Sequence, residues 1–106
     1  MADGVFHHVG VPTTKKRDGE TYLEDAKLYL TDCQQHPYCV EFLRFAPDSP
    51  MPEMLKTHVH SAFMVPDLAK ALEGKDVLLE PFCATDTLRV AFITDGEALI
   101  ELMETI

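Results

Sequence analysis

The chain has 106 residues and a mass of 11.9 kDa, room for one domain of ordinary size, and its 46% apolar and 25% charged residues are the mix of a soluble globular protein rather than a disordered one. Nine Lys+Arg against eighteen Asp+Glu leave a net charge of −9, a surface that repels phosphate backbones and anionic lipid and so argues against nucleic-acid and membrane partners. No apolar run approaches the roughly 20 residues of a bilayer span, and the N-terminus lacks the basic stretch and apolar core of a secretory signal, so the chain reads as soluble and cytoplasmic.

In chain order, residues 5–11 (VFHHVGV) form a strand stopped by Pro12. Residues 15–19 (KKRDG) are a charged turn with no amphipathic helix near them. Residues 26–32 alternate Leu28 and Leu30 with Lys27 and Tyr29, which predicts a strand, while a helix over 20–30 through Leu23, Ala26, Lys27 and Leu30 is the competing reading. Residues 38–45 (YCVEFLRF) are a strand. The stretch 46–53 places three prolines in six positions, and proline neither donates to a ladder nor continues a helix, so 46–56 is expected to be a linker.

Beyond it, residues 57–65 (THVHSAFMV) alternate as a strand. Asp67 caps a short helix over 68–73 that Gly74 ends. Residues 76–80 are a short strand closed by Pro81, and residues 87–94 alternate Leu88, Val90 and Phe92 with Arg89, Ala91 and Ile93. Asp95-Gly96 signals a tight hairpin, and residues 98–103 (ALIELM) are the returning strand. The order is β-α-β-β-β, and the first half is a degraded copy of it. The reading is one α+β domain, residues 1–106. Module one covers 5–45, the proline-rich linker 46–56 and module two 57–106.

Laid together, the halves match in chemistry. His8 opens the first and recurs as His60, 52 residues on; Glu41 closes the first and recurs as Glu101, 60 residues on. Carboxylates flanked by apolar residues on strands are costly unless their burial is compensated. Two neutral imidazoles and two carboxylates around a divalent cation make a site of zero net charge, a set that suits zinc, nickel, iron, manganese or cobalt without choosing between them. Strand parity allows one shared site, since His8 and Gly10 point to one face and His60 and Ala62 likewise.

Cys33, Cys39 and Cys83 are an odd number at wide spacing, which reads as three reduced thiols rather than a disulfide framework. Five residues separate Cys33 from Cys39 around His36, a spacing unlike that of tight zinc knuckles. His36-Pro37-Tyr38 reads as a turn, with a place at a cavity mouth as the functional alternative. Arg44 suits either a substrate carboxylate or an acidic neighbour. The acidic stretch 20–25 reads as a solvated face, and His58 as a surface residue.

The repeated βαβββ order, with His opening and Glu closing each module, resembles the vicinal oxygen chelate superfamily of glyoxalases, bleomycin-resistance proteins and extradiol dioxygenases. The phrases HVGV, HSAFMVPDLAKAL and LIELME carry the likeness, which spans nearly the whole chain. It implies that the two modules form a cupped, mostly antiparallel sheet, the first with a degenerate helix. It also implies that His8, Glu41, His60 and Glu101 stand at the four metal positions.

The activity implied is that of a glyoxalase-like lyase or isomerase. Its substrate would be a small α-oxygenated acid or carbonyl compound, handled through metal-stabilised enediolate chemistry with Glu101, then Glu41, as the base. A homodimer is the implied assembly, with modules paired within a chain or exchanged between chains. The missing first helix, with its Phe-Tyr and Leu-Gly elements, counts against glutathione-hemithioacetal chemistry. Two alternatives remain: a metal-free, bleomycin-resistance-type protein that sequesters a small ligand, and an iron(II) extradiol dioxygenase, against which a glutamate at position 41 argues.

Overall fold

A computed structural model describes residues 3–106. The chain divides into two compact units, one of residues 8–59 and the other of residues 60–106 together with residues 3–7.

The first unit holds most of β1 (Val5–Pro12), then β2 (Thr21–Leu23), β3 (Leu28–Leu30), β4 (Val40–Phe45) and α1 (Glu53–Thr57). The ladder order is β2-β3-β4-β1. β1 runs parallel to β4, and β3 is antiparallel to both β4 and β2. Residues 13–20 contain no helix, as the charged 15–19 stretch predicts. The competing helix over 20–30 does not form. Instead β2 and β3 make a hairpin, because Lys27 adopts φ 48° and donates its backbone N–H to the Glu24 carbonyl at 3.2 Å. A left-handed lysine is a costly turn residue that sequence patterns do not signal.

Ala26, Leu28 and Leu43 form a buried cluster in this unit, with Leu23, Leu30, Phe45 and Met51 against them. Glu20 departs from the solvated face expected of residues 20–25. Its carboxylate accepts two hydrogen bonds from Arg44, at 2.7 and 3.0 Å, and the Arg44 guanidinium lies 4.1 Å over the Tyr29 ring. Residues 46–56 are more than a spacer. The Ser49 hydroxyl donates to the Ala26 carbonyl at 2.6 Å, and Pro52 caps α1, whose Leu55 is buried. Proline is tolerated at a helix start, where its missing N–H would have no partner.

The second unit is built on β5 (His60–Met64), α2 (Leu68–Ala71), β6 (Asp76–Thr85), β7 (Leu88–Asp95) and β8 (Ala98–Thr105). The order β5-β8-β7-β6 is the first unit's order with each strand replaced by its counterpart. The first strand again runs parallel to the last, and the other two ladders are antiparallel. The Asp95–Ala98 pair closes a two-residue turn of Gly96 and Glu97, with Gly96 at φ 59°, so the glycine takes the first turn position rather than the second. β6 does not stop at Pro81. It continues to Thr85 through register shifts on either side of that residue, which an edge strand tolerates because its outer N–H groups need no ladder partner.

α2 is capped by Asp67, which accepts the Lys70 N–H at 3.1 Å, while the Leu68 N–H donates to Glu104 of β8. Its Leu68 is 1% exposed among Val65, Ala91, Ile93 and Leu102. No helix of the described residues is long and apolar enough to cross a membrane.

Leu68→Ala should cost about 2–5 kcal/mol, read by urea denaturation, because it removes the helix's only buried anchor and leaves a cavity. Arg44 holds the Glu20 carboxyl below its ordinary 4.5, and Lys27 does the same for Asp48. A lowered folded value contributes stability above the ordinary one, lost as pH falls through the folded value. Stability should therefore decline on the acid side below about pH 4.5, and Glu20→Gln should flatten that limb in pH-dependent thermal melts.

Candidate metal centre

The four residues singled out by the repeat fall into two His–Glu pairs, one in each unit. In the first, β1 and β4 run parallel with Gly10 opposite Glu41. Side chains two apart on a strand share a face, so His8 and Glu41 lie on the same side. The His8 Nε2 stands 3.5 Å from a Glu41 carboxylate oxygen, with the imidazole 2% and the carboxylate side chain 17% exposed.

In the second unit Ala62 stands opposite Glu101, and His60 precedes Ala62 by two as His8 precedes Gly10. The His60 Nε2 lies 3.1 Å from the Glu101 Oε1, and both residues are buried. Across the parallel ladder of each unit, the residue facing the glutamate is small. Gly10 has no side chain and Ala62 only a methyl group at 0% exposure. A larger residue there would fill the space through which each carboxylate reaches along the strand to its histidine.

The surroundings of the two pairs differ. Phe92 is paired with Glu101 on the β7 side, and its ring meets His60 edge to face at 5.1 Å, fixing the imidazole. The alternation of residues 87–94 put Phe92 on one face with Val90 but gave no sign of this role. In the first unit Cys33, from the 3-10 turn Cys33–Gln35, approaches instead, with its sulfur within 4.8 Å of a His8 ring nitrogen. Burial pushes the Cys33 thiol above its ordinary 9.0, and the Glu41 charge adds to the effect. Cys39 and Cys83 are free thiols and exposed.

Other sequence candidates stand apart from these pairs. His36 accepts the Tyr38 backbone N–H at 3.0 Å in a turn and packs its ring against Phe42. Arg44 is occupied by Glu20. His58 lies outside β5, at the end of α1, with its Nδ1 2.8 Å from the Thr57 hydroxyl.

Ala62→Leu should destabilise the protein by about 1–3 kcal/mol in chemical denaturation, since the added carbons have no space beside Glu101. Thiol titration at pH 8 should count two fast cysteines and one slow one, with Cys33→Ser removing the slow phase. Three equally fast thiols would contradict the burial of Cys33.

No protein-family model matches the chain, and no curated protein matches it. Solved structures do. The crystal structure of hypothetical protein BH1468 from Bacillus halodurans C-125 is similar to it with a TM-score of 0.74 at 17% identity, over 97% of this chain and 95% of that one. A likeness at that identity is one of fold, and it extends over essentially the full length of both chains.

Proposed function

We propose that the two His–Glu pairs are half-sites of one divalent-metal centre, with His8, Glu41, His60 and Glu101 as ligands, in a glyoxalase-like protein of the vicinal oxygen chelate type. The half-sites complete one another either within a chain or across a homodimer. The observation that carries this reading is the repetition of one His–Glu pair, in one ladder register, on the parallel strands of both units. Two ligands each about 2.1 Å from one ion stand about 3.0–3.4 Å apart, and the separations within the pairs, 3.5 and 3.1 Å, are close to that range. Two imidazoles and two carboxylates suit zinc, nickel, iron, manganese or cobalt and leave the centre neutral.

A bound ion would supply Lewis acidity to an oxygen of a small α-oxygenated acid or carbonyl compound. The chain's own part is to position and to move a proton. Glu101 is the base, because its carboxylate lies beside an imidazole held in place by Phe92. Glu41, more open to solvent, is the second candidate. The reaction class is lyase or isomerase.

One observation favours a second reading, a metal-free protein that sequesters a small ligand. Each imidazole already stands against a carboxylate, so burial of the glutamates is compensated without an ion.

Metal analysis of the purified protein separates the two readings. The first predicts a stoichiometric divalent metal that is removed by a chelator, restored on reloading, and lost in His60→Ala. Truncating one partner of a buried pair costs roughly 3–5 kcal/mol, so His60→Asn is measured alongside, with folding checked by circular dichroism. Absence of stoichiometric metal after reloading, or its retention in folded His60 and His8 variants, supports the sequestering reading instead.

A further inference from the structure

The opposite face of the second unit's sheet is incompletely covered. Across β5, β8 and β7, the row Ala62–Glu101–Phe92 belongs to the His60 face, so the neighbouring rows, with Phe63 beside Leu102 and Ile100 beside Ile93, point the other way. α2 lies over that face, but its four residues span only about 6 Å. A cavity of about 570 Å³ remains beside it, lined by Phe63, Val65, Ala71, Ile93, Ile100 and Leu102. Gly4 closes one wall: a Cβ at that position would lie 3.0 Å from the Phe63 Cβ and 3.2 Å from a Val65 methyl. The volume and the apolar lining are those of small-molecule sites, which run about 300–1,000 Å³.

The charges at its rim are informative in a chain of net charge −9. Lys70 and Lys75 line the cavity and are exposed. Lys27, Arg44 and Arg89 pair with carboxylates, yet neither Lys70 nor Lys75 forms an ion pair among the described residues. Of the two rim carboxylates, Asp67 is turned onto the Lys70 backbone N–H as the α2 cap, and Asp3 lies next to Gly4. An apolar trough with two uncommitted ammonium groups at its edge is complementary to an apolar chain that ends in an anion.

We infer that this cavity binds a free medium-chain carboxylic acid, with the chain against Phe63, Ile93, Ile100 and Leu102 and the carboxylate between Lys70 and Lys75. The site lies on the face opposite the His60–Glu101 pair and stands independently of the proposed metal centre.

The test is titration of the full chain with hexanoate, octanoate, decanoate and neutral decanol. Binding is followed by calorimetry and by the methyl signals of Val65, Ile93, Ile100 and Leu102. Expected are shifts confined to those methyls and affinity rising about fourfold per added methylene. Decanoate should bind more tightly than decanol. Lys70→Glu/Lys75→Glu, at two exposed positions, should weaken decanoate at least tenfold and leave decanol unchanged. His60→Asn protein should bind decanoate as the parent does. Absence of shifts at these methyls, equal affinity for acid and alcohol, or indifference to the lysine exchange would overturn the inference. So would protection of the same methyls by rising protein concentration alone, which would make a second copy of the chain the occupant.

Discussion

Burying a carboxylate on a β-strand is unfavourable unless a partner meets it inside the protein, and both units meet this constraint in the same way. The first and last strands of each unit run parallel, so that a histidine near the start of one and a glutamate within the other share a face. The register then sets the distance. The glutamate stands opposite the residue two places after the histidine, and that residue is Gly10 in one unit and Ala62 in the other. The carboxylate leans over a position with almost no side chain and reaches the imidazole.

This arrangement explains what is common to the two units and what is not. The strand order and ladder directions agree, while the coverings differ. The second unit has α2, Phe92 against His60, and a buried apolar cluster around Leu68. The first has no helix between its first two strands. It has a buried cluster around Leu28 and Leu43, a buried Cys33 near His8, and a proline-rich segment bound down by Ser49 and α1. Its Glu41 is correspondingly more exposed than Glu101. Of two pairs built alike, the second is the drier and the more firmly held.

Much of this was legible in the residues, where the physics is local and periodic. Alternation located the strands around residues 5–11, 38–45, 87–94 and 98–103, Asp67 and Gly74 bracketed α2, and the recurrence of His and Glu picked out both pairs. Features that depend on tertiary contacts were not legible. Lys27 takes a left-handed turn without glycine, Pro81 is absorbed by irregularities of an edge strand, and three prolines disguised the start of α1. The twofold hydrogen bonding of Glu20 to Arg44 joins residues distant in sequence, so an acidic stretch read as solvent-facing contains a half-buried ion pair. Phe92 read as an ordinary strand residue because its contact with His60 depends on the register of β7 against β8.

The equivalence of the two pairs is the central claim, and the coordination shell of protein reloaded with cobalt or nickel tests it most directly. X-ray absorption should find two imidazole nitrogens together with carboxylate oxygens and no sulfur, the signature of His8, Glu41, His60 and Glu101 acting as one set. A shell with a single imidazole, or one containing the Cys33 sulfur, would contradict it.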